Sequence, residues 1–324
     1  VELCGPRLAS SPDGRVWKDM PGVNPLIPVN YDTHHNVIYD ADKKKYILYL
    51  RPSVFAKHES QPAEPDCPGL NYRRRITVSE SDDLVNWSIP RIVQHARETA
   101  DYDQCDHQHT FVVGGTVVGR MNRFRVKTKE DAVNQKQIPW WTFGPDPYNM
   151  SFLDSDEPIP DCLTDDGRKT AGGLEIVGYP IYADAKTYFG MNLRKFDENG
   201  KKTVSAWLCA FDENRFVARV SDEYGGWLLT REFFLRGSEI EINCEINEGG
   251  YITAEILFGA GGCVRGGQFV RDYRLGDSDA ITQSGLHERL SWNGSSDISA
   301  ISGKAVYIRF HIVNAKLYSI KVNK

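Results

Sequence analysis

The order of apolar and polar residues along the chain is typical of a protein built from β-strands. Apolar side chains recur at every second position in many short segments, and no window of a dozen residues has the 3.6-residue apolar period of a helix. Two apolar runs flank a polar turn at 41–44, and the same hairpin pattern returns around Gly114-Gly115 and around 183–186. The pattern predicts an all-β protein of consecutive hairpins.

A short internal repeat occurs in the first part of the chain. The segment from Ser11 to Trp17, which contains Asp13-Gly14, is similar to the segment from Ser79 to Trp87, which contains Asp82 and lies about 70 residues later. We interpret each copy as a tight polar turn in which an Asp side chain caps backbone N–H groups and the indole covers the adjoining sheet. The repeat therefore predicts a structural element rather than a catalytic one.

The pattern changes after about residue 210. Apolar and charged residues alternate from 230 to 243, which puts Ile240, Ile242 and Cys244 on one face of a strand and Glu239, Glu241 and Asn243 on the other. Residues 251–258 and 305–312 repeat this alternation. Antiparallel strands with one buried face and one wet face are what a β-sandwich requires. We therefore predict two domains, residues 1–210 and residues 211–324.

Composition and charge restrict the classes of partner. The 324 residues carry a net charge of -5, and their Lys and Arg residues are scattered, so we expect no nucleic-acid partner. The sequence has no apolar stretch of about 18 residues, so no membrane span is predicted, and the first residues lack a signal-peptide pattern. The seven cysteines have no metal-like spacing, and Cys209 and Cys244 lie in apolar strand patterns that predict burial.

The C-terminal part resembles a β-sandwich module that follows five-bladed β-propellers in bacterial proteins related to glycoside hydrolase families 32 and 43. The resemblance rests on residues 216–220, 225–233, 235–243, 290–294, 299–310 and 315–319. Residues 1–205 resemble the propeller through shorter phrases, namely Asp13-Gly14, Tyr31-Asp32, 45–51 and 83–87. This resemblance implies a five-bladed β-propeller whose centre binds sugar, followed by a jelly-roll-like β-sandwich.

The resemblance also implies a glycosidase that acts on the end of an oligosaccharide or polysaccharide with two carboxyl groups. Such chemistry needs a protonated acid at the leaving oxygen and a second carboxylate that attacks the anomeric carbon or activates water. By resemblance Asp32 is the nucleophile or base candidate. Asp103 and Asp106 precede the strand that begins at Thr110, the equivalent place in a later blade, and we prefer Asp106 over Asp103 as the auxiliary carboxylate. Glu175 lies among apolar residues and glycines, where desolvation would raise its pKa as a general acid requires. A strand-start cap at Asp32 and an edge-strand charge at Glu175 are the alternatives.

Further polar and aromatic residues near these acids are candidates for substrate binding. They are His34, His35, Asp103, His107, His109, Arg123, Trp140 and Trp141. The two tryptophans lie in a Pro-containing segment that we interpret as a loop and a stacking wall for sugar rings, with core packing as the alternative. His and Asp side chains together could bind zinc or hold a central calcium ion. We assign no metal ligands and expect no required cofactor, although a structural calcium at the propeller axis stays open.

Two other functions remain open from the sequence. The triplet Arg-Asp-Pro and the Trp-Met-Asn-Asp-Pro-like start that mark family 32 do not occur here, so a fructoside-specific enzyme is not predicted. A carbohydrate-binding propeller without catalysis is the main alternative, and a protein-interaction propeller is the second. The resemblance favours a secreted or periplasmic protein over a cytoplasmic one, and the oligomeric state is left open.

Overall fold

A computed structural model of the chain describes residues 5–28, 31–41, 43–52, 74–94, 103–113, 116–125, 137–152, 174–196, 202–259 and 268–324. Regular structure in these residues is β, apart from two short 3-10 helices at Leu275–Asp277 and Ser299–Ile301, and neither could cross a membrane. The strands are β1 Ala9–Ser10, β2 Lys18–Asp19, β3 Tyr31–Asp40, β4 Lys45–Pro52, β5 Ile76–Ser81, β6 Arg91–Gln94, β7 Asp103–Val113, β8 Thr116–Arg125, β9 Gln137–Gly144, β10 Ser151–Phe152, β11 Leu174–Ala183, β12 Lys186–Phe196, β13 Lys202–Asp212, β14 Arg219–Ser221, β15 Gly226–Leu229, β16 Phe233–Phe234, β17 Glu239–Phe258, β18 Gln268–Phe269, β19 Gly285–Arg289 and β20 Ala305–Asn323. The predicted all-β class is therefore confirmed.

The chain divides into two compact units, one of residues 1–181 and 188–210 and one of residues 182–187 and 211–324. In the first unit, β3 to β6 form sheet A and β7 to β10 form sheet B, each with its strands in chain order. Strands β11 to β13 form a third sheet, sheet C, and β1 pairs with β2. Neighbours in sequence are thus neighbours in each sheet, as consecutive hairpins require. The count of five blades stays a prediction.

The predicted hairpins are present at the ends of their strand pairs. Asp40 faces Lys45 where β3 turns into β4, and Val113 faces Thr116 where β7 turns into β8. The hairpin between β11 and β12 turns at Asp184 and Ala185, which have φ angles of 51° and 56°. Positive φ at both central residues is the geometry of a two-residue hairpin turn that matches the twist of its strands. An Ala in that position is strained, because its Cβ crowds the backbone.

Apolar residues pack the sheets of the first unit face to face. Tyr49 and Ile76 of sheet A share one core with Cys105, Val117 and Met121 of sheet B. On the opposite face of sheet B, Phe111 and Trp141 both contact the ring of Phe189 in sheet C, with centroid distances of 5.4 and 6.3 Å. Both faces of sheet B are therefore buried, one against sheet A and the other against sheet C.

The two copies of the sequence repeat are the same turn. The Asp13 carboxylate accepts hydrogen bonds from the backbone N–H groups two and three residues later at 2.9 and 3.1 Å, and Asp83 does the same at 2.9 and 2.7 Å. Each indole N–H donates to a backbone carbonyl three residues earlier, from Trp17 at 3.1 Å and from Trp87 at 2.9 Å. The predicted capping role is confirmed, and Asp83 rather than Asp82 is the counterpart of Asp13.

A third copy of this turn occurs at Asp146, where neither the Ser nor the Trp of the pattern is present. Its carboxylate accepts from the backbone N–H groups of Tyr148 and Asn149 at 2.8 and 3.0 Å. The turns at Asp83 and Asp146 both join the third and fourth strands of their sheets, and the turn at Asp13 joins β1 to β2. We call these three segments the aspartate turns. They repeat at intervals of 70 and 63 residues.

The second unit contains one seven-stranded sheet, centred on the antiparallel pair of β17 and β20. β17 has 20 residues and would extend about 66 Å if it were straight, yet residues from both its halves lie in one core. The two strands shift register between Ile246 and Tyr251, next to Gly249 and opposite Asn314, which have φ angles of 74° and 45°. The pair therefore folds over on itself, so that a single bent sheet provides both layers of the predicted sandwich.

The predicted alternation in β17 is confirmed except at Asn243 and Glu255, which are polar but buried. Ile240, Ile242 and Cys244 are fully buried in the core, as are Ile252, Ala254 and Ile256 of the second half. Asn243, predicted on the wet face, is also buried, because its side chain donates to Glu213 O at 2.7 Å and accepts from Arg215 Nε at 2.9 Å. Cys209, predicted to be buried, is only partly buried.

Candidate active site

The candidate acids occupy the beginnings of the first strands of three successive sheets. Asp32 is the second residue of β3, Asp103 and Asp106 are the first and fourth residues of β7, and Glu175 is the second residue of β11. This equivalence was expected from the sequence, which sets each acid immediately before or within an apolar run. The backbone of these residues is described, but their side chains lie outside the described part of the structure, as do those of His34, His107 and Arg123.

Strand β3 is irregular at the candidate residues. Asp32 is opposite Arg51 and Asn36 is opposite Tyr49, so three residues of β3 face a single residue of β4. The inserted residues include His34 and His35, and His35 is partly buried. A bulge interrupts the ladder and re-aims the side chains around it, and bulges are frequent beside active sites.

Strand β7 has a second bulge, at Asp106. Cys105 is opposite Arg123 and His107 is opposite Asn122, which leaves Asp106 as the extra residue. Since successive strand residues point to opposite faces, one extra residue reverses the alternation beyond it. Cys105 accordingly faces sheet A, whereas Phe111 faces sheet C. Two of the three predicted catalytic positions thus coincide with, or adjoin, a break in regular pairing.

A buried arginine is the cross-strand neighbour of Asp32. Arg51, in β4, is directly opposite Asp32 in the register, and only 5% of its surface is exposed. Directly opposite residues of an antiparallel pair have their Cβ atoms about 4.5–5.5 Å apart. A guanidinium keeps its charge when buried and favours the ionised form of a neighbouring carboxyl group. Arg51 was not among the residues predicted for the site, although an Arg directly after the apolar run 45–50 is a signal in the sequence.

Sheet B carries a second buried arginine. Arg120 in β8 is fully buried and stands between His109 and Trp141 in the register, so the three share one face of the sheet. This is the face that packs on sheet C through Phe111 and Trp141. A fixed positive charge therefore lies on the side of sheet B that faces the sheet of Glu175. Its signal in the sequence is one Arg inside the apolar segment 117–121.

Trp140 and Trp141 do not form an exposed stacking wall. Both lie in strand β9 rather than in a loop, and they are 8% and 4% exposed. Trp141 contacts Phe189 of the next sheet. The structure therefore favours the packing alternative for both residues, because a buried indole between two sheets has no open face for a sugar.

The described residues contain no cluster of three or more His, Cys, Asp or Glu side chains that could hold a metal ion. His109 is partly buried in β7, and its neighbours in the register are Arg120 and then Trp141. The described residues do not test the structural calcium left open at the propeller axis, because the side chains of Asp32, Asp103 and Asp106 lie outside the described part.

No protein-family model and no curated protein matches the sequence, but solved structures do. One is an N-acetylgalactosamine deacetylase from F. plautii in complex with blood group B trisaccharide, with 14% identity and a TM-score of 0.39 over 57% of this chain and 51% of that chain. The chain thus spans about half the length of that protein. Another is a family 117 glycoside hydrolase of Zobellia galactanivorans, with 11% identity and a TM-score of 0.42 over 88% of this chain and 84% of that one.

A third similar structure is the Bombyx mori GH32 β-fructofuranosidase, with 14% identity and a TM-score of 0.38 over 97% of this chain and 72% of that one. Family 32, which the sequence resemblance named, is thus among those to which the structure is similar. At these identities and TM-scores, the similarities assign neither an activity nor a substrate to the chain.

Proposed function

We propose that the first unit is a glycoside hydrolase that cleaves the end of an oligosaccharide or polysaccharide. The observation that carries the proposal is the equivalent position of three acids, Asp32, Asp106 and Glu175, at the starts of the first strands of sheets A, B and C. Consecutive sheets that pack face to face bring the same ends of their first strands into one neighbourhood. The backbone N–H of Thr110 in β7 donates a hydrogen bond to the side-chain oxygen of Asn36 in β3 at 2.8 Å, which supports this for sheets A and B.

In the proposed reaction, Glu175 protonates the glycosidic oxygen as the leaving group departs. Asp32 either attacks the anomeric carbon, giving a glycosyl-enzyme that water then hydrolyses, or removes a proton from the attacking water. Asp106 orients the acid and adjusts its pKa. Arg51, opposite Asp32 in the register, supports an ionised carboxylate at that position, and an ionised carboxylate is what both variants of the mechanism require.

The bulges give the proposal its local rationale. A regular β-strand directs alternate side chains into the spaces between sheets, where they are used for packing. The irregular pairing of 32–36 and of 105–107 releases these positions from the ladder, so that their polar side chains need not enter the apolar cores of the sheets.

The test is hydrolysis of a panel of aryl glycosides and of plant and algal oligosaccharides by the unmodified chain, Asp32→Asn and Glu175→Gln. We expect Asp32→Asn to lose turnover on every substrate. We expect Glu175→Gln to lose turnover on natural linkages but to keep part of it on dinitrophenyl glycosides, whose leaving group needs no protonation. The matched control is Asp82→Asn, because the Asp82 side chain is 78% exposed and pairs with Lys45, at the end of β4 remote from Arg51 and Asp32.

The same panel distinguishes the alternatives. Turnover that is unaffected in both variants would reject the residue assignment but not the activity. If the unmodified chain binds an oligosaccharide without hydrolysing any substrate, the carbohydrate-binding propeller replaces the enzyme. Chains that neither bind nor cleave any sugar would remove both proposals.

A further inference from the structure

The second unit exposes large aromatic rings on the outer face of its bent sheet. Trp227 in β15 is 57% exposed and Phe269 in β18 is 48% exposed. The adjacent residue Leu228 packs against the core, so the alternation of the strand directs Trp227 outward. Exposed apolar surface that is rimmed by polar residues is a feature of binding sites.

The indole of Trp227 is held in place by neighbouring aromatic rings. Trp227 and His311 are direct cross-strand partners, and their rings stack with centroids 4.5 Å apart and planes 28° apart. Tyr251 supports the same imidazole edge-on, with a centroid distance of 5.8 Å. The imidazole stacks on one face of the indole, and this contact fixes the orientation of the exposed Trp227 ring.

A guanidinium lies between the two exposed rings. Arg309 Cζ is 5.0 Å from the ring centroid of Trp227 and 5.6 Å from that of Phe269, so the two rings are at most about 11 Å apart. Glu255, which is 2% exposed, pairs with Nε and Nη2 of Arg309 and accepts from Leu275 N at 3.3 Å. Arg309 is thereby fixed in position, and Nη1 is not engaged by Glu255.

These features match the chemistry of a neutral sugar. A pyranose ring has an apolar face of C–H groups, which stacks on an indole, and a rim of hydroxyl groups, which accept hydrogen bonds from a guanidinium. Glu255 balances the charge of Arg309, so the face does not select for an acidic sugar. The rings of Trp227 and Phe269, with Arg309 between them, could contact more than one sugar unit of an oligosaccharide.

We propose that this face, formed by Trp227, His311, Arg309, Glu255 and Phe269, binds neutral pyranose oligosaccharides. The site lies entirely in the second unit and does not depend on hydrolysis by the first. The sequence alone did not indicate it, because its members come from β15, β17, β18 and β20 and converge only in the folded sheet.

The test is affinity gel electrophoresis of the full chain through gels that contain soluble β-glucan, galactan, xylan or homogalacturonan. All samples carry Glu175→Gln, so that the polysaccharide is not consumed. We expect retardation by at least one neutral polysaccharide, and about tenfold weaker retention for Trp227→Ala. Trp227→Tyr should keep part of the retention. The matched control is Trp17→Ala, because Trp17 is similarly exposed, at 62%, but lies in an aspartate turn of the first unit.

Several outcomes would overturn the proposal. They are unchanged retention of Trp227→Ala, equal loss of retention in the Trp17 control, retention by homogalacturonan alone, and no retention of the parent chain in any gel. A dimer in size-exclusion chromatography that Trp227→Ala abolishes would identify the face as a protein interface instead. Near-ultraviolet circular dichroism confirms that each variant is folded. If this proposal fails, the unmodified chain should still hydrolyse small aryl glycosides. Failure of the polysaccharide-binding face can therefore be distinguished from failure of the proposed hydrolase.

Discussion

The side-chain oxygen of Asn36 accepts a hydrogen bond from the backbone N–H of Thr110 at 2.8 Å, and this bond joins the first strands of sheets A and B. Both residues are buried, with 8% and 1% of their surfaces exposed. A backbone N–H on the edge of one sheet is thus satisfied by a side chain of the next sheet rather than by another strand. Asn36 directly follows the bulge of β3, and Thr110 lies four residues beyond the bulge at Asp106 in β7.

Replacement of Asn36 by Leu is expected to lower the free energy of unfolding by about 1–3 kcal/mol, because the Thr110 N–H would remain buried without a partner. Urea denaturation followed by circular dichroism measures the change. The control is Asn247→Leu, which removes an exposed side-chain bond to Asn314 and should cost less than about 0.5 kcal/mol. Equal effects of the two substitutions would contradict the role assigned to Asn36.

Replacement of Ala185 by Gly is expected to stabilise the first hairpin of sheet C. Ala185 has a φ of 56°, where a Cβ is unfavourable, and Gly removes this strain. The expected gain is about 0.5–1 kcal/mol in the free energy of unfolding, measured by chemical denaturation. The matched substitution Ala183→Gly, within β11, should have the opposite sign, because Gly weakens a strand. A loss of stability from both variants would show that turn strain is not the dominant effect.

Because of the aspartate turns, the stability of the folded protein is expected to decrease at acidic pH. Hydrogen bonds from Asn86, foremost its backbone N–H, and from the backbone of Val85 hold the pKa of Asp83 well below 3.8. Because the pKa is lower in the folded state, the stabilisation is complete above about pH 4 and is lost as the pH falls through the folded pKa.

Asp83→Asn should therefore have a lower midpoint of thermal unfolding than the unmodified chain at pH 7, and the difference should narrow as the pH is lowered below about 4. Thermal melts at a series of pH values test this. Asp82→Asn is the control, since Asp82 is exposed and pairs only with Lys45 among the described contacts. A difference for Asp83→Asn that stays constant with pH would argue against the turn as its origin.

Arg51 is expected to set the pH dependence of the proposed hydrolase. If Asp32 is the base or nucleophile, loss of the adjacent charge in Arg51→Met raises the pKa of the Asp32 carboxyl group. The acidic limb of the pH profile of kcat/KM should then move to higher pH by about 1 pH unit. Arg51→Lys keeps the charge and should leave the limb nearly in place. An unmoved limb in an active, folded Arg51→Met variant would separate Arg51 from the catalytic carboxylate.

Much of the local structure of this protein is determined by its sequence. Alternation fixed which faces of β17 and β20 are buried, because a strand must direct every second side chain into the core. The aspartate turns at 13 and 83 were predictable, because capping by a carboxylate is local chemistry among residues three positions apart. The third turn was missed, since at Asp146 only the carboxylate and the following Asn remain of the pattern.

Only the tertiary structure decided where strands are irregular and what lies across from them. The bulge at Asp106 depends on pairing with β8, the neighbour of Asp32 depends on the register of β4, and the burial of Trp140 and Trp141 depends on the packing of sheet B. The platform at Trp227 likewise joins strands that are distant in the chain. Each of these features depends on contacts between residues that are distant in the sequence, and those contacts depend on which strands pair and how the sheets pack. The sequence pattern determines only the periodicity and the chemistry of each individual strand.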